Sequence, residues 1–502
     1  MSKLKGKVTL VGAGPGDLGL LTLKGFYALK NAEVVVYDRL VGDDILNLIP
    51  ENAEKIDAGK KSANHKIPQY QMNKILLDKA LLGKNVVRLK GGDCFLFGRG
   101  GEELELLKQN NVEFEVVPGI TSALAVPAYA GIPITHRDFV SSVHIITGHQ
   151  KDDEPLKINF KSCVDIGGTL VFLMGVANIG KIMNGLIQNG MKSDMPCAVI
   201  EKGTRSKQRK IVSTISEIEQ QCKLQKIKSP AIIVVGEVCT LSEDFDWFNK
   251  LPLKGKTVIV TRPKNRSGKI SQKLRENGAE VLEFPCIETI STITESLIDD
   301  IIQKINDYDV IAFTSPFGVS AVFDELFRRK IDGRIFYNKK IAVIGSGTGR
   351  ELEKYGLFPD IMPETYDGKN LGIMLGKFAK GKKVLLLRAK EGSSEIIDEL
   401  TSNNIEYEDL TVYYTKFASD FDEKIKEKLE KNEVDYITFT SASTVKAFTS
   451  LIKGNYDRFV GLCIGEKTNA EAVKHGIKTI VSKNATIDDM VSALISEVAK
   501  CQ

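Results

Sequence analysis

Along the whole chain, short runs of β-branched and aliphatic residues alternate with stretches of helical periodicity, and many of those runs stop at a glycine. In the first half the runs KVTLVG, EVVVYD, NVVRLKGG, FEVVPG, VHIITG, TLVFLMG, PCAVIEKG and AIIVVGEV predict strands. This rhythm predicts α/β layers, with ligands bound where the strands end. It breaks once, at CTLSEDFDWFNKLPLKGK, which mixes acidic residues, the only Trp, a proline and a basic cluster, and then restarts at KTVIVTRP. A chain of 502 residues is too long for one ordinary core. The break near residue 250 therefore divides it into halves spanning 1–248 and 254–502.

The second half carries an internal repeat. KTVIVTR ending at Arg262 resembles KKVLLLR ending at Arg388, and FTSPFGVSAVF from Phe313 resembles FTSASTVKAF from Phe439 at the same spacing. AVIGSGTGRELEKYG from Ala342 matches LCIGEKTNAEAVKHG from Leu462 at a slightly shorter one, pairing Thr348 with Thr468. Three matched strand-to-helix junctions predict two similar lobes with a cleft between them.

The opening stretch VTLVGAGPGDLGLLTLKG invites a dinucleotide reading, because a strand feeds a glycine-rich turn and Asp38 ends the next strand about 20 residues on. Two details oppose it. Asp17 stands where the last glycine of G-x-G-x-x-G belongs, and Pro15 removes an N–H that an anion cradle would use. A nicotinamide-dependent dehydrogenase is disfavoured on that ground. The net charge of +4 is too near balance for nucleic acid to be the main partner. Eight cysteines without a C-x-x-C pair and five histidines without ligand spacing predict free thiols and no metal site. No run approaches the ~18 apolar residues that span a bilayer. A cytoplasmic protein with no membrane partner is the expectation.

In order along residues 5 to 245, VTLVGAGPGDLGLLTLKG, VVVYDRLV, VVRLKGGDCFLFGRGGEE, VVPGITSALAVPAYAGIPITHR, TLVFLMGVANI and CAVIEKGTRSKQ resemble the uroporphyrinogen-III C-methyltransferases, members of the tetrapyrrole methylases. The resemblance implies a tetrapyrrole methylase fold of two α/β subdomains and a homodimer formed through this half. It implies transfer of two methyl groups from S-adenosyl-L-methionine to C2 and C7 of uroporphyrinogen III, giving precorrin-2 for sirohaem or cobalamin. By the same resemblance Asp38 is the proton acceptor and Lys60 the donor, with neighbouring Lys61 an alternative. Pro15, Gly91, Gly92, Asp93, Leu96, Thr121, Ser122, Met174 and Gly203 form the cofactor set. Cys94 stands where the family's GGDPF has proline, which puts the rigidity of the loop after Asp93 in question. Arg39, Arg88 and Arg99 are candidates for gripping substrate carboxylates. Read in isolation, Asp38 is a turn residue and Met174 a core residue.

From Lys256 onward KTVIVTRP, RENGAEVLEFPCIE, YDVIAFTSPFGVSAVF, KIAVIGSGT, VYYT, DYITFTSASTVKAF and CIGEKTNAEAVKHG resemble uroporphyrinogen-III synthase. That family's bilobal α/β fold implies one lobe from about 256–288 with 416–502 and a second from about 289–415, joined through FPCIETI and DLTVYYTKF. The implied reaction cyclises hydroxymethylbilane with inversion of its last ring. Tyr413 is the implied proton source, Tyr414 an alternative, and Thr261, Arg262, Ser315, Ser441, Ser443 and Thr468 are implied substrate contacts. As serines and threonines after strands, the hydroxyl residues also read as ordinary helix caps. Product of the second half is substrate of the first, so a bifunctional enzyme is expected; the rival is a methyltransferase with a non-catalytic tetrapyrrole-binding or regulatory module.

Overall fold

VVRLK, residues 86–90, is buried at all five positions although two of them are cationic, which places this strand at the centre of a layer. The computed structural model describes residues 5–59, 68–149, 156–262, 264–418, 423–454 and 456–500. Five parallel strands, β1 (Lys7–Gly12), β2 (Val34–Tyr37), β3 (Glu54–Asp57), β4 (Val86–Lys90) and β5 (Glu113–Val117), are ordered β3-β2-β4-β1-β5. Successive side chains of a strand face opposite ways. Val8, Leu10, Val34 and Val36 therefore pack with Leu76 and Leu107 on one face, and Val11, Val35 and Val87 with Leu29 and Ile45 on the other.

A second sheet follows: β6 (Val143–Thr147), β7 (Thr169–Leu173), β8 (Pro196–Glu201), β9 (Arg209–Thr214) and β10 (Ala231–Val235), ordered β6-β7-β10-β8-β9. Only β6 and β7 run parallel; the other pairs are antiparallel. The sequence reading missed β3 and β9. Both are edge strands, EKID and RKIVST, whose charged residues hide the apolar pattern.

The stretch between the halves is not a loose linker. Phe248 is buried, Trp247 Nε1 donates to Ala128 O at 3.1 Å, and both rings pack on Tyr129 with centroids 4.9 and 4.8 Å away.

The second half begins with β11 (Thr257–Val260) and β12 (Glu280–Glu283). The chain then builds β13 (Ile287–Ser291), β14 (Val310–Phe313), β15 (Lys340–Val343), β16 (Lys383–Ala389) and β17 (Glu406–Phe417) into one sheet, ordered β13-β17-β16-β14-β15. It returns with β18 (Tyr436–Phe439), β19 (Val460–Cys463) and β20 (Thr479–Val481) to complete the parallel sheet β12-β11-β18-β19-β20. β13 and β17 pair antiparallel from Ile287 with Phe417 to Ser291 with Tyr413, so FPCIETI and the end of DLTVYYTKF form a two-stranded ribbon between the sheets. The repeat is visible in cap geometry. Ser315 and Ser441 each cap the helix after the matched strand, and Gly345 and Gly465, at φ 177° and 176°, begin the next matched pair.

Candidate functional site

In the first sheet the chain leaves β1 toward β2 on one side and β4 toward β5 on the other. A crevice opens at the carboxyl ends of β1 and β4, where open α/β sheets place their ligands. The two loops above it are laced together. Ala13 N donates to Lys90 O at 2.7 Å, Gly14 N to Gly92 O at 3.1 Å and Gly92 N to Gly14 O at 2.8 Å. Gly14 and Gly92 have φ of +74° and +70°, values that explain the glycines. Deeper in, a Cβ on Gly12 would fall 2.5 Å from Gly119 Cα, so the loops after β1 and β5 also meet through bare backbone.

Asp38 follows β2 directly. Its Oδ1 accepts from Arg88 Nη2 at 2.5 Å, and Arg88 Nε donates to Glu103 Oε1 at 3.2 Å, which also accepts from Lys90 Nζ at 2.8 Å. Arg88, Lys90 and Glu103 have side chains no more than 5% exposed, whereas Asp38 is 34% exposed. Asp38 is thus the one carboxylate of this cluster that opens outward. Burial works against the Arg88 charge, but Asp38 and Glu103 outweigh it and raise its pKa, keeping the guanidinium cationic. This corrects the expectation that Arg88 grips substrate: it is buried and bound to Asp38. Arg99 is exposed, with its guanidinium on Glu102 at 2.9 and 2.5 Å. Arg39 is exposed beside the Asp38 loop. Lys60 and Lys61 lie outside the described residues.

Asp93 does not present a free carboxylate. Oδ1 accepts from the N–H groups of Phe95 and Leu96 at 2.8 and 2.9 Å, and Oδ2 from Gly119 N at 3.1 Å. Desolvation pushes its pKa up, but those backbone bonds outweigh it and hold it below the usual carboxylate range. The group thus folds its own loop with three of its acceptor positions, leaving one on Oδ2. The same bonds, with Gly100 N on Cys94 O at 3.1 Å, organise the turn that lacks proline at Cys94. Leu96 packs against the core of the second sheet. Thr121 caps the helix Ser122–Tyr129, accepting from Ala123 N at 3.3 Å. Met174 is half exposed with φ of +57°, so it is not core packing. Gly203, between left-handed Lys202 and Thr204, has no room for a Cβ against Val126. Pro15 is half-buried in the opening loop, and Asp17 beside it accepts from Tyr129 Oη at 2.8 Å while its own N–H donates to Thr204 Oγ1 at 3.2 Å. Asp17 ties the first sheet's loop to the second layer and is not placed to face a pyrophosphate.

Leu40, Phe95, Phe97, Leu124 and Met174, each 40% exposed or more, rim these loops with apolar surface. Bare-backbone turns, an outward carboxylate and an apolar rim fit a bulky, flat substrate beside a cofactor that carries no phosphate. The sequence reading did not include Lys90 or Glu103. The available signal was two cations, Arg88 and Lys90, on one face of an otherwise apolar central strand, which demand a buried anion.

In the second half, the carboxyl ends of the two sheets face each other, and Lys467 Nζ lies 3.6 Å from Glu395 across the gap. Ser315 Oγ accepts from Gly318 N at 3.0 Å; Ser441 Oγ accepts from Thr444 N at 3.3 Å and lies 2.8 Å from Ser443 Oγ. A cap uses a hydroxyl lone pair and leaves the hydroxyl hydrogen able to donate. Tyr413 meets the first turn of helix Pro316–Arg328 through Phe317, with ring centroids 5.1 Å apart. Tyr414, its neighbour in β17, projects to the opposite face. Arg262 is half-buried at the end of β11. Two expectations are corrected. Thr261 is fully buried and its hydroxyl donates to Thr438 O at 2.6 Å, and Thr468 is 4% exposed, so neither offers an open side chain to a substrate.

Residues 7–219 match the family model described as Tetrapyrrole (Corrin/Porphyrin) Methylases, and residues 268–492 that of Uroporphyrinogen-III synthase HemD. The chain is 47% identical over 492 residues to the porphyrin biosynthesis protein HemD of Ruminiclostridium josui, covering 98% of each. It is 39% identical to the uroporphyrinogen-III C-methyltransferase of Bacillus subtilis, over 72% of this chain and 74% of that one. It is 50% identical over 245 residues to siroheme synthase 2 of Yersinia enterocolitica, of which it spans about half, 51%.

Proposed function

This chain belongs to the porphyrin-biosynthesis family that joins a tetrapyrrole methylase to a uroporphyrinogen-III synthase, and from that premise we propose how its residues divide the work. The second half, residues 254–502, cyclises hydroxymethylbilane to uroporphyrinogen III. The first half, residues 1–248, methylates that product at C2 and C7 to give precorrin-2, the precursor of sirohaem and cobalamin. The observation that carries the methyl-transfer reading is Asp38, held by buried Arg88 and opening outward beside the laced loops of Gly14 and Gly92.

S-adenosyl-L-methionine, when bound, supplies an electrophilic sulfonium methyl. Gly91, Gly92, Thr121, Ser122, Met174 and Gly203 would hold it, with Pro15 and Leu96 walling the site. The pyrrole carbons of a reduced tetrapyrrole are themselves nucleophilic, so the residues mainly orient two ligands and manage one proton. Asp38 accepts that proton. Arg88 keeps the carboxylate aimed outward, and Arg39, exposed beside the Asp38 loop, meets a substrate carboxylate. Lys60 is the matching proton donor.

In the second half the open-chain substrate cyclises readily without help, and the enzyme's task is to fold it so that the last ring inverts. Ser315 and the hydrogen-bonded pair Ser441–Ser443, which has one hydroxyl hydrogen to spare, donate to its carboxylates, Arg262 supplies charge, and Tyr413 protonates the departing hydroxyl. The chain acts in the cytoplasm as a homodimer formed through its methylase half.

A paired assay tests both activities: hydroxymethylbilane is supplied with and without S-adenosyl-L-methionine, and products are identified by absorbance and mass. Uroporphyrinogen III without the cofactor and a dimethylated product with it are expected. Accumulation of uroporphyrinogen I alone, while added uroporphyrinogen III is still methylated, would make the second half a binding module.

A further inference from the structure

The two halves meet through specific side chains. Arg275, in the last turn of helix Lys264–Glu276, places Nη2 2.7 Å from Asp44 Oδ1 and Nε 3.2 Å from Oδ2, a forked guanidinium–carboxylate pair. Both side chains are half-buried, 21% and 27% exposed, and Glu283 lies 3.6 Å from the same guanidinium. Desolvation lifts Asp44 above the usual carboxylate range even though Arg275 opposes the shift. Asp44 belongs to the single-turn helix Asp43–Leu46, which closes the loop begun at Asp38: Val41 N donates to Asp38 O at 3.2 Å and Ile45 N to Gly42 O at 3.0 Å.

A second set of contacts ends on the other loop of the methyltransferase site. Lys254 Nζ donates to Ser206 O at 2.5 Å and Gln208 O at 3.0 Å, and Gly255 N to Ser206 Oγ at 3.0 Å. Gln208 Oε1 accepts from Thr204 N at 2.8 Å, and Thr204 Oγ1 accepts from Asp17 N in the opening loop. Burial pushes the Lys254 ammonium down to about 8 against the pull of Asp246. Between the two sets lies a cavity of about 290 Å³, with Gly16, Asp17 and Gly42 on one wall and Arg275 and Glu280 on the other. The loops after β1 and β2 therefore both back onto the second half.

A half-buried, forked ion pair contributes little net stability, but its two parallel hydrogen bonds fix the relative geometry of the groups that carry it. We propose that the synthase half is a positioning element of the methyltransferase site: Arg275 through Asp44, and Lys254 with Gly255 through Ser206, Gln208 and Thr204, fix the loops that carry Asp38 and Pro15. Methyl transfer in this chain then requires the synthase half to be docked. Arg275 and Lys254 touch no reacting atom and act only through the residues they hold. The inference rests on the methyltransferase reading of the first half.

The test uses the full chain as wild type, Arg275→Asp, Arg275→Lys and the swapped pair Asp44→Arg with Arg275→Asp. Methylation of uroporphyrinogen III is resolved into kcat and KM, and cyclisation of hydroxymethylbilane is followed in parallel. Arg275→Asp should lower kcat/KM for methylation by about tenfold or more, the scale of a misplaced reacting group, while cyclisation keeps its wild-type rate. Arg275→Lys should fall between, and the swapped pair should recover activity. Unchanged methylation in Arg275→Asp overturns the proposal, as does a loss that neither Arg275→Lys nor the swap relieves. A variant that fails to fold would lose both activities together, and Arg275→Gln then takes its place. A wild-type chain that cyclises but does not methylate refutes the methyltransferase reading itself.

Discussion

Asp38 has solvent on one side and a buried guanidinium on the other, so one of its oxygens is fixed while the carboxylate still opens to the crevice. Replacing it by asparagine keeps the shape and removes the acceptor. Asp38→Asn should slow methyl transfer by about a hundredfold or more with cyclisation untouched, and methylation at the wild-type rate would end the acceptor assignment. Asp93 makes a different prediction. Its pKa is lowered in the folded chain by backbone N–H bonds acting against desolvation, so its contribution is present above the unfolded carboxylate pKa of about 3.9 and is lost as pH falls through the lower folded value. The difference in melting temperature between wild type and Asp93→Asn should therefore be constant from pH 7 to 5 and shrink below pH 4. A difference that stays flat into acid would contradict it. Asp93 shows how a residue can be legible in sequence as part of a site while its job is not. GGD marks the loop, but which way a carboxylate turns depends on N–H groups at Leu96 and Gly119 that only folding brings near.

At the scale of elements, strands that end in glycine were readable because burial and turn chemistry both leave marks in the sequence. β3 and β9 were not, since an edge strand is paired on one side only and its polar residues read as loop. The repeat in the second half was readable because Ser315 and Ser441 serve the same capping function at matched helices. Alanine at either should cost about 1 kcal/mol by denaturant unfolding. If the hydroxyl hydrogens also reach substrate, each variant should release a larger share of uroporphyrinogen I. Stability loss with unchanged isomer ratio would reduce both serines to caps. Thr261 illustrates the limit of such reading. It occupies the same kind of junction, yet its hydroxyl is turned inward to Thr438, a choice set by the neighbouring strand.

At the scale of the whole molecule, nothing in the sequence connects Arg275 with Asp44, which lie in different halves and have ordinary local contexts. Docking also covers an exposed liability. β12 pairs with β11 on one side only, and residues 278–282 face Gly42 and Asp44 of the first half across the shared cavity. Expressed alone, residues 254–502 should self-associate through that strand as concentration rises, measured by light scattering. A monodisperse monomer throughout would show that the edge needs no cover.

The sheet β12-β11-β18-β19-β20 draws its first two strands from before the other lobe and its last three from after it. A ribosome therefore delivers β11 and β12 long before β18, the strand that must lie beside β11. Until Tyr436–Phe439 emerges, the apolar strand β11 waits with an open side next to β12, and the hazard of premature association is greatest in that interval. The first half is complete by then and can seat β12 from one side. The order in which the two enzymes occur along the chain, opposite to the order of their reactions, is thus also the order in which one can shelter the other during its birth.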